Sequence, residues 1–198
     1  MREENQDHKW PLVTDGRGRL WGKHRDEFLE RVAGRFKRYL VPDSGVLLSS
    51  ARASDGKLWM GTERGLFKTT SSGAPPVALA RPPDVDQVEQ VFEDSRGQLW
   101  VGAGSHVYHA MATDVASARP VAWARTEIPG AGQLSKIIET SSGAIWAATS
   151  LHGVWRFHSG AWAPIPASRR LQTPAIYNLV PSRSGGLWIL STGTSIRV

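Results

Sequence analysis

The chain has 198 residues, 40% of them hydrophobic, a formal net charge of +6 and a pI near 10.1. That apolar content excludes a disordered chain, and no run of about eighteen apolar residues is present to span a membrane as a helix. With no cysteine there is no disulfide and no thiolate metal site, and the residues from Met1 to Lys9 contain no apolar stretch resembling a secretory signal.

The basic residues are mostly interleaved with acids. The densest group, Arg31, Arg35, Lys37 and Arg38, lies beside Asp26, Glu27 and Glu30 in a segment that alternates like a strand, and reads as a solvated face.

A glycine three residues ahead of a tryptophan, with an aliphatic residue directly before the ring, occurs five times in chain order. The copies are Gly18 to Trp21, Gly56 to Trp59, Gly97 to Trp100, Gly143 to Trp146 and Gly185 to Trp188. Successive tryptophans are 38, 41, 46 and 42 residues apart, a period suited to four short strands per propeller blade. Each copy predicts a first strand, a tight polar turn, and a second strand that carries the tryptophan. First strands are read at Val88, Val91 and Phe92, at Leu134, Ile137 and Ile138, and at Ile176, Leu179 and Val180. Third strands are expected at Gly65–Lys68, Val107–Tyr108 and Gly153–Phe157. Looser fourth strands are expected at Arg35–Tyr39, Pro75–Leu79, Pro120–Ala124 and Ala161–Ile165. No segment has sustained helical periodicity, and even Asp26 to Val32 reads as strand.

These elements predict an all-β chain: a β-propeller of about five four-stranded blades, one segment over residues 1–198, with blades near 10–41, 45–80, 86–125, 132–166 and 174–198. The last is incomplete, ending inside its third strand, so the array is expected to be a fragment of a larger ring of about seven blades. Trp21, Trp59, Trp100, Trp146 and Trp188 are structural, filling the wedge between neighbouring blades; Trp123 and Trp162, on outer strands, are expected to matter less.

The strings Asp55-Gly-Lys-Leu-Trp-Met-Gly-Thr-Glu-Arg-Gly-Leu-Phe67 and Glu93-Asp-Ser-Arg-Gly-Gln-Leu-Trp-Val-Gly102 resemble the two-component regulator propeller repeat. The likeness is close in the second and third copies and recognisable in the fourth and fifth. The first departs, with Gly22-Lys-His-Arg-Asp-Glu-Phe28 after its tryptophan. The resemblance implies a periplasmic, non-catalytic ligand-sensing module of a bacterial receptor. Its partners would be the remaining blades and an output domain such as a histidine kinase, with a homodimer as a further arrangement. No cofactor or metal is implied.

In such a blade the turns between second and third strands share a rim with the connections between blades, where binding residues gather. Arg64, His106 and His152 stand at or beside the position of Gly65 in their copies. They are the candidate ligand-binding residues for a small anionic or oligosaccharide ligand. His106 and His109, three apart on one strand, point to opposite faces and do not form a metal pair. The alternatives are a protein-interaction scaffold and a propeller lyase resembling streptogramin lyases, whose chemistry would need histidine and glutamate on the channel rim. Nucleic acid is not favoured, because no element of the fold enters a groove.

Overall fold

The computed structural model describes residues 11–117, 119–130, 132–150, 152–165, 176–182, 186–191 and 194–198. Trp10, Pro166, Pro174 and Gly185, which bear on the expected blade limits and the fifth turn, lie outside them.

Nineteen strands in the described residues form five antiparallel sheets, four of four strands and one of three, and the fold is a β-propeller. The first sheet is β1 (Leu12–Thr14), β2 (Leu20–His24), β3 (Glu27–Val32) and β4 (Arg35–Leu40). The second is β5 (Leu47–Arg52), β6 (Leu58–Thr62), β7 (Gly65–Lys68) and β8 (Val77–Leu79). The third is β9 (Gln90–Glu93), β10 (Gln98–Ala103), β11 (His106–Met111) and β12 (Ala124–Glu127), with one helical turn, α1 (Ala112–Val115), between its last two strands. The fourth is β13 (Leu134–Glu139), β14 (Ile145–Thr149), β15 (Gly153–His158) and β16 (Ala161–Pro164). The fifth is β17 (Ile176–Pro181), β18 (Leu187–Ser191) and β19 (Thr194–Arg197). Within every sheet the strands pair in sequence order, and the first strands of neighbouring sheets meet: β5 with β9, β9 with β13, and β13 with β17.

Two sequence expectations need correction. The fourth strand of the third sheet begins at Ala124 rather than running from Pro120 to Ala124: the chain first makes a helical turn that buries Ala112 and Val115, and Val121 and Trp123 then pack against that cluster instead of pairing in the sheet. Trp162 is not marginal: it is 7% exposed, its Nε1 donates to Thr126 Oγ1 of the preceding sheet at 3.0 Å, and its ring lies against Phe157 and Trp100. The first copy, irregular in sequence, folds as a full sheet. Its β2–β3 turn puts Arg25 in the left-handed region (φ 48°), and the Asp26 carboxylate accepts the Ser44 and Gly45 N–H groups.

The core is a series of slabs, one at each junction, because both faces of a blade are buried against neighbours. Trp21 packs with Leu58, Met60 and Phe67 of the second sheet. Trp59 packs with Val85, Val88, Val91 and Leu99, and Trp100 with Ile145, Trp155 and Trp162. Trp146 leans on the cluster of Ile176, Leu179, Leu187 and Ile189. The ring nitrogens are treated unequally. Asp15 and Asp94, six residues ahead of their tryptophans, each close a hairpin and accept the Trp21 and Trp100 Nε1–H at 3.4 and 2.9 Å. The second copy has Ala53 there, and Glu93 of the next sheet reaches across to accept from Trp59 Nε1 and from the Ser54 N–H.

Lys23 occupies the junction position held by Gly61 and Gly102 in the next two sheets. Its side chain is buried, with its ammonium donating to Ser44 Oγ at 2.8 Å, to the Gly45 carbonyl at 2.6 Å and to the Arg25 carbonyl. Burial pulls its pKa from 10.5 to about 8, against the opposing pull of Asp26 and Glu63. A folded pKa below the unfolded one means that the folded chain binds fewer protons between those values. Stability is therefore expected to rise as pH increases from about 8 towards 10.5, by on the order of 3 kcal/mol at most. Tyr39 acts oppositely above pH 10. Burial and its bond to Glu30 raise it to about 12, so the folded state then binds the extra proton and stability falls. Urea unfolding between pH 7 and 11 should show the rise in the wild type and lose it in Lys23→Met.

Candidate functional site

Four of the five first strands break their alternation, or begin, at the same level. Register shifts occur between Leu47 and Ser49 in β5, Leu134 and Lys136 in β13, and Ile176 and Asn178 in β17, while β9 starts its pairing at Gln90. A bulge re-aims the side chains beside it. Here the result is that strands from all five sheets turn residues into one central cavity of about 330 Å³. Its walls carry Ser49, Ser50, Gln90, Ser135, Lys136 and Asn178 as polar groups, with Val13, Leu47, Leu48 and the Tyr177 ring as apolar surface.

Lys136 is the one cation among the described lining residues, and no carboxylate joins it. Asn178 spends its carbonyl oxygen on the Leu179 N–H at 2.9 Å, which leaves its amide N–H₂ as donor. The hydroxyls of Ser49 and Ser135 are buried and have no hydrogen-bond partner among the described residues. Beside Gln90, burial holds the Glu89 carboxyl above its ordinary range although the Gly104 N–H donates to it at 3.1 Å.

The three rim candidates sit in three separate turns, and none lines this cavity. Arg64 is exposed in the β6–β7 turn, where its backbone N–H donates to Thr62 Oγ1 at 3.1 Å. His106 opens β11 opposite Ala103, the place that Gly65 holds opposite Thr62. Its Nε2 lies 2.6 Å from Arg125 Nη2, a guanidinium nitrogen that only donates, and the Glu127 carboxylate lies 3.9 Å from the same ring nitrogen. His152 does not share Gly65's position. The fourth copy has a longer turn, so Gly153 pairs with Thr149, and His152 precedes it in the loop with its N–H on Thr149 Oγ1.

Two features went unread in the sequence. Ser49, Gln90, Lys136 and Asn178 each stand ten residues ahead of a repeat tryptophan, a polar position that recurs in the first strand of four copies. In addition, the cross-strand partner of the tryptophan is Lys68 in the second sheet, His109 in the third and Arg156 in the fourth. Lys68 Nζ lies 4.1 Å from the Trp59 ring centre and Arg156 5.6 Å from that of Trp146, while His109 stacks on Trp100 at 4.5 Å. Burial lowers the His109 pKa, against the pull of Asp94. Among the described residues no group of three histidine, aspartate or glutamate side chains is placed to hold a metal, and no helix is long and apolar enough to cross a membrane.

No protein-family model and no curated protein matches the chain. Solved structures do. The extracellular domain of BT4673 from B. thetaiotaomicron, described as a candidate one-component system, aligns with TM-score 0.73 at 15% identity, covering 97% of this chain and 28% of that one. Virginiamycin B lyase from Staphylococcus aureus aligns with TM-score 0.71 at 16% identity, covering 98% and 71%. The extracellular domain of BT3049 from B. thetaiotaomicron, described as a candidate hybrid two-component system, aligns with TM-score 0.64 at 19% identity, covering 90% and 25%. The chain thus spans only about a quarter of the two signalling domains, and at these identities the likeness establishes the propeller fold.

Proposed function

We propose that the chain is a non-catalytic, ligand-sensing propeller segment of a bacterial signalling receptor, acting on the periplasmic or extracellular side. The observation that carries this reading is the central cavity, where strands of all five sheets deliver polar side chains to one place. Such a site reports on these five sheets together, because a ligand bridging them is coupled to each of the junctions between them. The likeness to two extracellular signalling domains supports it, as does the repeat resemblance.

The remaining blades of the ring are the partner proposed for the fifth sheet. Its inner face, Leu179, Leu187 and Ile189, is buried against the fourth, whereas Val180, Trp188 and Leu190 on the other face are exposed, in the pattern of a blade awaiting a neighbour. Arg64, His106 and His152 are proposed to meet the outer part of a larger ligand at the mouth. Thermal-shift screening with oligosaccharides should find a stabilising ligand, and replacing these three residues together by alanine should weaken it by roughly tenfold. Unchanged affinity removes the rim from the site.

The second reading is a lyase, favoured by the extent to which the virginiamycin B lyase fold is matched. One such structure carries quinupristin. Turnover of quinupristin followed by mass spectrometry, with and without magnesium, would establish it; the sensor reading expects none.

A further inference from the structure

We infer that the central cavity binds a sugar acid of monosaccharide size, with Lys136 Nζ as the partner of its carboxylate. The inference rests on the cavity being the sensing site, and it names the chemistry that the site selects.

Charge comes first. Lys136 faces a cavity without a lining carboxylate, and its ammonium has no ion pair or hydrogen bond among the described residues. A partly buried lysine on a wall it shares with hydroxyls and amides, with no anion of its own, attracts one from solution more strongly than a fully exposed lysine does. The distribution of the other groups then argues against a bare inorganic anion. Gln90 and Asn178 offer amide donors and Ser49, Ser50 and Ser135 hydroxyls, together from four different sheets, spread around the cavity rather than gathered at the lysine. Such a spread matches a ring of hydroxyls, which both donate and accept.

The two unpartnered serines point the same way. A buried hydroxyl without a partner is uncommon in a folded protein, and Ser49 and Ser135 are two such groups on the wall of one cavity. Either would gain its missing partner if a change of χ1 rotamer brought it to a bound hydroxyl. Val13, Leu47 and the Tyr177 ring supply apolar surface for the C–H face of a pyranose. A cavity of about 330 Å³ stands at the small end of ligand sites, fitting one sugar unit rather than a chain.

The test is calorimetric titration of the 198-residue chain with glucuronate, galacturonate, glucose, galactose and inorganic phosphate. Binding of at least one sugar acid is expected, with the matching neutral sugar and phosphate at least roughly tenfold weaker. Lys136→Met should abolish the preference for the acid while Lys136→Arg retains it, both variants being checked for an unchanged melting curve. Should Lys136→Met not fold, the acid against neutral-sugar comparison on the wild type decides alone. Neutral sugars binding as well as the acids, with loss in Asn178→Leu, would overturn the anionic class and leave the cavity as the sensing site. Sugar binding indifferent to both Lys136→Met and Asn178→Leu would overturn the cavity as the site altogether. No binding by either sugar acid overturns the inference.

Discussion

Replacing Trp100 with alanine is expected to destabilise the chain by about 3 to 5 kcal/mol, while Trp188→Ala, the same change in the same repeat position, costs less than about 1 kcal/mol. The two side chains differ in what lies beyond them. Trp100 is 2% exposed, wedged between sheets three and four, with His109 stacked at 4.5 Å and Phe157 edge-on at 5.1 Å. Its Nε1 also satisfies the buried Asp94 carboxylate at 2.9 Å, so truncation opens a cavity and strips a carboxylate of a donor together. Trp188 is 42% exposed on the open face of the fifth sheet. Urea unfolding of both variants, compared at equal slope, measures the difference. A Trp100→Ala cost below about 1 kcal/mol would place the junction energy elsewhere, with Trp155 and Trp162 the next rings to test.

How much of this was legible in the sequence depended on whether a feature repeats locally or arises from register. The tryptophan ladder and its glycine turns are local: Gly56 and Gly97 adopt φ of 80° and 76° in the hairpins where the sequence demands a residue tolerant of such angles. The five-sheet architecture follows from them. The first sheet looked irregular because Lys23 replaces the junction glycine, yet Phe28, Glu30 and Tyr39 still alternate towards the second sheet, and that alternation suffices. What escaped was set by pairing. A bulge in β13 adds one residue to a period-two pattern, so the first strand read at Leu134, Ile137 and Ile138 carried no sign that Ser135 and Lys136 both line a cavity. The basic side chains over the tryptophans needed the β6–β7, β10–β11 and β14–β15 registers before Lys68, His109 and Arg156 could be seen as one repeated position. His152 was placed on Gly65's position by counting, and the longer fourth turn moved it off. The helical turn at Ala112–Val115 is too short to leave a periodic trace.

The closeness of neighbouring sheets gives the second large prediction. Gly61→Ala is expected to cost about 3 kcal/mol, near the upper end for adding one methyl group to a packed interior. A Cβ at Gly61 would meet the Val88 carbonyl oxygen of the next sheet at far less than contact distance, with Val88 Cγ1 and Ser49 Oγ each at 2.6 Å. The serine can turn away, but the carbonyl cannot, because it belongs to the chain that enters the third sheet and whose own N–H is bonded to the Thr62 carbonyl at 2.9 Å. Relief therefore requires parting the two sheets, and that separation passes to β5 and β9, which meet at the cavity. Gly104→Ala is the control: its Cβ meets nothing within 4 Å, and only the φ of 59° opposes it, at about 1 kcal/mol. Lys23 shows that the position can hold a long side chain where the junction is built for one. At the second junction the backbone has closed over that space, so thermal unfolding of Gly61→Ala beside Gly104→Ala separates the cost of crowding two blades from the cost of a strained turn.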